Sequence, residues 1–287
     1  MTSVVIAAYN ESTVIGRTLD TLLAGATDGE LDVTVVANGC TDDTPHVAAR
    51  RRGVRVVELA HGNKPRALDA GDAVARGFPR VYLDADIPVT VDVIRTLCAA
   101  LTAPPNPGAE PPLAAVPRRV VDARGRPLLV RAYEAIHGRH PAFHDGLFGR
   151  GVIVLSEVGR SRFEHFPDMV ADDLYLDSLF SPGEKVIVDK VSAVVQAPFT
   201  TRDLLQRLER VRRGNRQLRA SAGRQWNRPD VRSEDRSAWL LRAVLRAPWL
   251  APAAAAYGTL TVIAEVRARR AGPAVWGRDE STRAPAT

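Results

Sequence analysis

The chain has 287 residues, is 45% hydrophobic and 25% charged, and carries a net charge of +6. That balance is expected of a soluble globular protein long enough to bury a core without staples, and it excludes a disordered tail, a collagen-like fibre and a disulfide scaffold. Of 39 basic residues only Lys64, Lys185 and Lys190 are lysines; so arginine-rich a surface suits phosphates, nucleic acid or a membrane face, although arginine-biased codons give the same composition.

Ser3 to Ala8 is an apolar run that reads as a strand, after which Asn10 can cap a helix through Leu23. Asp32 to Ala37 predicts a second strand, Thr44 to Arg51 a helix, and Val54 to Leu59 a third strand. A helix from Pro65 to Arg76 leads to a short strand, Arg80 to Leu83, which ends in Asp84-Ala85-Asp86; Thr90 to Leu101 is again helical. Such alternation predicts an α/β fold with a mostly parallel sheet covered on both faces.

Pro104 to Pro112 is a proline-rich connector. Beyond it, Ala114 to Val121 and Gly151 to Leu155 read as strands, and Arg131 to Arg150 as loop or short helix. Asp172 to Leu179 predicts a short helix opening with acids, and Val186 to Val195 a strand pair or one bent strand. From Arg202 the chain reads as helical and arginine-dense, with the last ten residues frayed. Trp249 to Val266 is apolar but rich in alanine, which suits a buried or membrane-surface helix better than one of about 20 strongly apolar residues that spans. Arg267, Arg269 and Arg270 after it suit anionic headgroups, and equally the solvated end of a core helix. Cys40 and Cys98 lie in no metal or redox spacing and no signal peptide is visible, so the expected setting is cytoplasmic.

In parallel α/β sheets ligands bind beyond the carboxyl ends of the strands. Those positions hold Ala8-Tyr9-Asn10-Glu11, Asn38-Gly39-Cys40-Thr41-Asp42-Asp43-Thr44, Gly62-Asn63-Lys64 and Asp84-Ala85-Asp86. An aromatic ring, amides, a cation and paired acids on one rim suit a nucleotide. Two carboxylates one residue apart after an apolar strand can hold a divalent cation such as Mg²⁺ or Mn²⁺, which takes oxygen ligands and bridges phosphates.

Together these segments resemble family 2 glycosyltransferases, in that family's order and spacing. Phe166-Pro-Asp-Met-Val-Ala-Asp-Asp-Leu174 is similar to the family's acidic helix start, and Gln206 with Arg207 and Arg210 to its Gln-x-x-Arg-Trp element, with Val211 in place of tryptophan. The resemblance implies a GT-A fold over residues 1–215, with a nucleotide-sugar half at 1–102, an acceptor half at 113–200, and a helical extension at 216–287. It also implies inverting transfer of a hexose-type sugar from a UDP-, GDP- or dTDP-linked donor to an acceptor hydroxyl that it does not identify. Carried over, Ala8, Tyr9 and Glu11 line the base and ribose pocket, with Asn38 where the family often has a base-contacting aspartate. Lys64, Asp84 and Ala85 lie along the nucleotide sugar, Asp86 binds the Mn²⁺ or Mg²⁺, and Arg207 or Arg210 touches the diphosphate. Asp173 aligns with the general base, and Asp172 before it would raise its basicity by like-charge repulsion. Capping of the helix N-terminus is the plainer role for either acid.

Two rival classes fit less well. A sugar-1-phosphate nucleotidyltransferase wants a glycine-rich basic loop after strand one, where Tyr9, Asn10 and Glu11 stand. A non-catalytic nucleic-acid or membrane-binding module wants basic residues interleaved with aromatics; aromatics are 6%, and no nucleic-acid partner is expected. A peripheral membrane contact at the inner face, through the C-terminal helices, fits both the resemblance and the charge. His137, His140, His144 and Asp145 match no closed zinc site and read instead as an acceptor-side loop, with flexibility at Gly146, Gly149 and Gly151.

Overall fold

The computed structural model describes residues 1–104, 107–168, 171–225 and 238–270. Seven strands form one sheet: β1 (Thr2–Ala8), β2 (Leu31–Asn38), β3 (Val54–Leu59), β4 (Arg80–Leu83), β5 (Ala114–Asp122), β6 (Val152–Leu155) and β7 (Lys185–Gln196), in the order β3-β2-β1-β4-β6-β5-β7. The first four run parallel, with Val4 beside Val33 and Val81. β6 is antiparallel to both β4 and β5, and β7 is parallel to β5. The fold is thus the mostly parallel α/β sheet expected, with one reversed strand in its middle.

Helices α1 (Ile15–Leu23), α2 (Thr44–Ala49), α3 (Lys64–Val74) and α4 (Val91–Ala100) cover the first half. Val4 and Ile6 of β1 enter one core with Leu19, Ile94 and Leu97, while Val5 enters the other with Leu68, Tyr82 and Phe166. A strand buried on both faces reads as a continuous apolar run for this reason. α3 is fixed at its start: Asn63 accepts the Arg66 N–H at 3.0 Å and Pro65 follows directly.

Two places differ from expectation, Asn10 and the Gly149–Gly151 turn, and two elements settle readings that the sequence leaves open. Asn10 caps no helix, since α1 begins at Ile15. Asn10 takes a left-handed turn, φ 54°, a conformation asparagine tolerates, and its Oδ1 accepts the Thr41 N–H at 2.8 Å. The stretch expected as loop or short helix includes a ten-residue helix, α5 (Leu128–His137), whose Val130, Tyr133 and Glu134 face inward at helical spacing. Of the two alternatives expected for the last strand, β7 is the single bent one: its pairing with β5 slips from Val188 to Ser192 between Pro117 and Arg118, and a proline that cannot donate to the ladder accounts for the bulge there. Gly149 and Gly151 hold a fixed turn rather than a loose one: both have positive φ, and between them Arg150, 2% exposed, donates to the carbonyls of Pro117, Phe143, Gly146 and Phe148.

Two short helices, α6 (Glu157–Arg160) and α7 (Asp172–Ser178), follow β6. The chain then continues as α8 (Thr201–Gln225), α9 (Ala238–Arg246) and α10 (Ala251–Arg270). α10 packs on α5 and α8 around Val130, Tyr133, Leu204, Leu208 and Leu260. Pro248–Arg270 is long and apolar enough, by length and composition, to cross a membrane. Its Ala254, Leu260, Ala264 and Ala268 are buried, whereas Val262, Ile263 and Val266 are exposed. The last ten residues lie outside those described, as do Met169 and Val170 of the acidic motif.

Candidate active site

The strand ends are laced into one rim. Glu11 N–H donates to Thr44 Oγ1 at 2.7 Å and Ser12 N–H to Asp42 Oδ2 at 3.1 Å, joining the exit of β1 to that of β2. Asn38 Oδ1 accepts the Asn63 N–H at 2.8 Å, which brings in the loop before α3. At the end of β4, Asp84 N–H donates to the Gly151 carbonyl at 2.8 Å and Ile87 N–H to the Asp84 carbonyl at 3.2 Å, so the Asp84-Ala85-Asp86 turn is closed and pinned to β6. Gly151 permits that approach: its φ is +70°, and a Cβ would meet Ile87 and lie 3.2 Å from Asp84 Oδ2.

Lys64, the first residue of α3, joins this turn to the acids of α7. Its Nζ lies 3.0 Å from Asp84 Oδ1 and 3.0 Å from Asp172 Oδ2. Burial lowers the lysine's pKa, but Asp172 and Asp84 outweigh it and the ammonium is held charged. Asp172 is raised by burial and by Asp84, against the pull of Lys64. Asp173 is pushed up to about 6, first by burial and second by Asp172. The repulsion expected from the sequence is therefore present, but the larger cause is burial. Asp173 is oriented by the Gly149 N–H at 2.9 Å and by the Leu174 N–H at 2.7 Å. Behind it Asp177 accepts the Leu147 N–H at 2.8 Å and pairs with buried Lys185, which anchors α7 and the turn before β6 to one another.

Tyr9, Glu11, Lys64, Asp84, Ala85, Asp86, Asp172, Asp173, Arg207 and Arg210 line one cleft of about 1150 Å³. Ala8 and Asn38 are fully buried and do not line it; Asn38 works as a strut beneath the rim. His137 and His140 also line the cleft. Among the described residues, however, no three His, Cys, Asp or Glu side chains gather as a metal site, so the zinc grouping is not formed. The Asp84–Asp86 turn offers two carboxylates with hard oxygen donors. That suits a cation which takes one or two protein carboxylates and completes its shell with phosphate oxygens and water, so the donors fit Mn²⁺ or Mg²⁺.

The opposite wall is one the sequence reading does not assign. β5 contributes Arg119, 7% exposed at its side chain, whose Nε donates to the Gly149 carbonyl at 3.0 Å. Gly149 thus carries Asp173 on its N–H and Arg119 on its carbonyl. From α5 come Glu134 and His137, from α8 Arg207, and from α9 and α10 Trp239, Tyr257 and Thr261. Tyr133 stacks on Tyr257 with centroids 4.9 Å apart, His140 meets Trp239 at 4.7 Å, and the Arg119 guanidinium lies over Phe143 at 4.7 Å. Two signals in the sequence point to this wall: a charged pair, Arg118-Arg119, inside a strand, and Glu134 on the inward stripe of α5.

Residues 3–114 match the description "Glycosyl transferase family 2". Among solved structures, the mannosyltransferase PcManGT from Pyrobaculum calidifontis, in complex with GDP-Man and Mn²⁺, superposes with a TM-score of 0.57 at 23% identity, over 94% of this chain and 75% of that one. S. aureus TarS 1–349 in complex with UDP superposes with a TM-score of 0.51 at 16% identity, over 94% and 92%. A longer S. aureus TarS chain matches at TM-score 0.50 and 16% identity over 73% of this chain, which spans 38% of that one. No curated protein sequence matches the chain. The sheet order and these superpositions define the fold class, GT-A. Residues 3–114, about two-fifths of the chain, are thus similar to the glycosyltransferases of family 2.

Proposed function

We propose that this chain transfers a sugar from a nucleotide-diphospho-sugar to an acceptor hydroxyl with inversion, with Asp173 as general base and divalent-cation assistance. The observation that carries this reading is the convergence of the strand-end residues and the α7 acids on one cleft, joined through Lys64. Tyr9 and Glu11 face the nucleoside, and Asp84 and Ala85 the ribose and sugar. Asp86, with Asp84 beside it, would hold the cation, which when bound offsets charge building on the leaving diphosphate. Lys64 places a fixed positive charge between the donor turn and α7, and Arg210 adds another toward the diphosphate. Asp173 takes the acceptor hydroxyl's proton as the new bond to the anomeric carbon forms; the old bond breaks on the opposite face and its electron pair leaves with the diphosphate. A carboxyl pushed up to about 6 is a stronger base than an exposed one and is still ionised at neutral pH.

We place the enzyme in the cytoplasm, peripherally at the inner face of a membrane. Supporting this, Leu241, Leu245 and Trp249 are exposed at steps of four residues, with Arg242 and Arg246 alongside. The central test is a thermal-shift panel of UDP-, GDP- and dTDP-sugars with and without Mn²⁺. A rise in melting temperature with one nucleotide class, larger with Mn²⁺, is expected; no rise with any donor overturns the reading.

A further inference from the structure

The cleft wall that faces the donor rim has an acceptor-binding chemistry of its own. Three buried polar atoms on it have no hydrogen-bond partner: Glu134 Oε2, His137 Nδ1 and Thr261 Oγ1. Glu134 is 7% exposed, and all three residues line the cleft. Buried polar atoms are nearly always paired, so three orphans on one wall point to a ligand that pairs them. Charge is also out of balance here. Besides its bond to the Gly149 carbonyl, Arg119 has one carboxylate near it among the described residues, Glu134, at 3.6 Å, which is longer than a hydrogen bond. Arg207 makes no ion pair among the described residues, yet stands near enough to Arg119 and His137 to repel positive charge on both. Burial and these arginines keep His137 neutral and lower the pKa of Arg119. Two arginines crowded in a partly desolvated cleft are stabilised by an anion.

We propose that the acceptor carries a phosphate group, bound between Arg119 and Arg207, with its attacking hydroxyl nearby. The inference rests on the glycosyltransferase reading of the cleft. Gly149 gives the geometric reason for the pairing of phosphate and hydroxyl: its carbonyl holds Arg119 and its N–H holds Asp173. A phosphate on the guanidinium therefore places a neighbouring hydroxyl beside the base. Glu134, His137 and Thr261 can pair the remaining hydroxyls, and the faces of Tyr257 and Trp239 cover the acceptor's apolar part.

The test is calorimetric titration of phenyl phosphate, and of its neutral counterpart phenyl glucoside, into the full chain. The nucleotide site is first saturated with Mn²⁺ and whichever nucleoside diphosphate stabilises the protein. Phenyl phosphate is expected to bind about tenfold or more tighter than the glucoside, the size of one charged hydrogen-bonded contact. Arg207→Ala, on a half-buried helical position, is expected to weaken phenyl phosphate by about tenfold and nucleotide by less than about twofold. Equal binding of the two phenyl compounds overturns the proposal. So does an Arg207→Ala loss as large for nucleotide as for phenyl phosphate, because the arginines would then hold the donor's diphosphate. Failure of every nucleotide to bind defeats the donor reading separately, since phenyl phosphate is titrated again without nucleotide. A second arm uses phosphatidylcholine vesicles with and without lysophosphatidic acid, a lipid that carries a phosphate beside a free hydroxyl. Arg207-dependent retention on the loaded vesicles identifies a lipid phosphate, whereas phenyl phosphate binding without such retention identifies a soluble phosphoester; both support the anion site.

Discussion

The two walls of the cleft carry opposite charge. On the donor side five carboxylates (Glu11, Asp84, Asp86, Asp172, Asp173) face a single lysine, Lys64. On the other side seven arginines (Arg119, Arg150, Arg207, Arg210, Arg212, Arg216, Arg269) face two glutamates, Glu134 and Glu265. The proposed polyanionic donor would need a cation to rest on the acidic rim, whereas the proposed anionic acceptor would need none on the arginine wall. The walls meet at Gly149, which bonds Asp173 on one side and Arg119 on the other. The net charge of +6 is therefore an unequal sum of two local fields, and those fields decide what each wall can hold.

The largest effects come from breaking the acidic side or the joint between the sides. Asp173→Asn is expected to lower the turnover number by about 10²- to 10⁴-fold, the usual contribution of a positioned base. Donor-induced thermal stabilisation should be unchanged; loss of that stabilisation would move Asp173 from the proton transfer to donor binding. Asp177→Ala leaves Lys185 buried and unpaired and releases the Leu147 N–H. Denaturant unfolding should show a loss of about 3–5 kcal/mol, the cost of removing one partner of a buried pair. A loss within the range of surface substitutions would mean that the turn before β6 does not depend on the Asp177–Lys185 pair.

The same comparison explains what was legible in the sequence. The acidic rim is written as short motifs at strand ends, where topology brings distant segments together, so Asp84, Asp86 and Lys64 could be placed on one ligand by rule. Its inner mechanics could not. Asn38 stands where a base contact is expected but is a buried strut, and Asn10 looks like a helix cap but ties two turns together. The arginine wall is assembled from β5, α5, α8 and α10, elements up to about 150 residues apart with no shared motif. Its only local trace is the misfit of Arg119 in a strand and of Glu134 on a core-facing helix stripe, the kind of broken rule expected at functional sites. The reversed β6 was equally hidden, because a four-residue apolar strand carries no sign of direction.

pH sharpens the acidic side. Asp173 works ionised, so the rate is expected to rise about tenfold per pH unit below about 6 and level off above it. Asp172→Asn removes the second cause of the raised value and should move the midpoint to lower pH, read from the pH dependence of the turnover number. Stability takes the opposite sign. An unfolded aspartate ionises near about 3.9, and the folded one only near about 6. The unfolded state thus holds fewer protons between these values, and stability falls as pH rises through that window. Asp173→Asn should accordingly raise the melting temperature more at pH 8 than at pH 4, although it removes activity. Metal removal tests the same rim more gently. Chelation, or Asp86→Asn, is expected to weaken nucleotide-sugar affinity by about tenfold, as loss of one charged contact does, while leaving phenyl phosphate binding on the arginine wall unchanged.

The smallest expected effect extends the basic side outward. Leu241, Leu245 and Trp249 are 62%, 71% and 76% exposed, an apolar stripe on α9 and the turn before α10 that no described element covers. Arg242 and Arg246 lie next to its two leucines. An anionic bilayer attracts each arginine by about 1 kcal/mol, so Arg246→Gln should lower retention on phosphatidylserine vesicles by about fivefold, and raised salt should do the same. Leu245→Gln should lower it further, on neutral vesicles as well, because it removes apolar insertion without changing the charge. Equal retention of the wild type and both variants would separate the stripe from the membrane. Loss of retention together with unchanged phenyl phosphate binding would instead show that the stripe brings the arginine wall to the bilayer without forming part of the phosphate site.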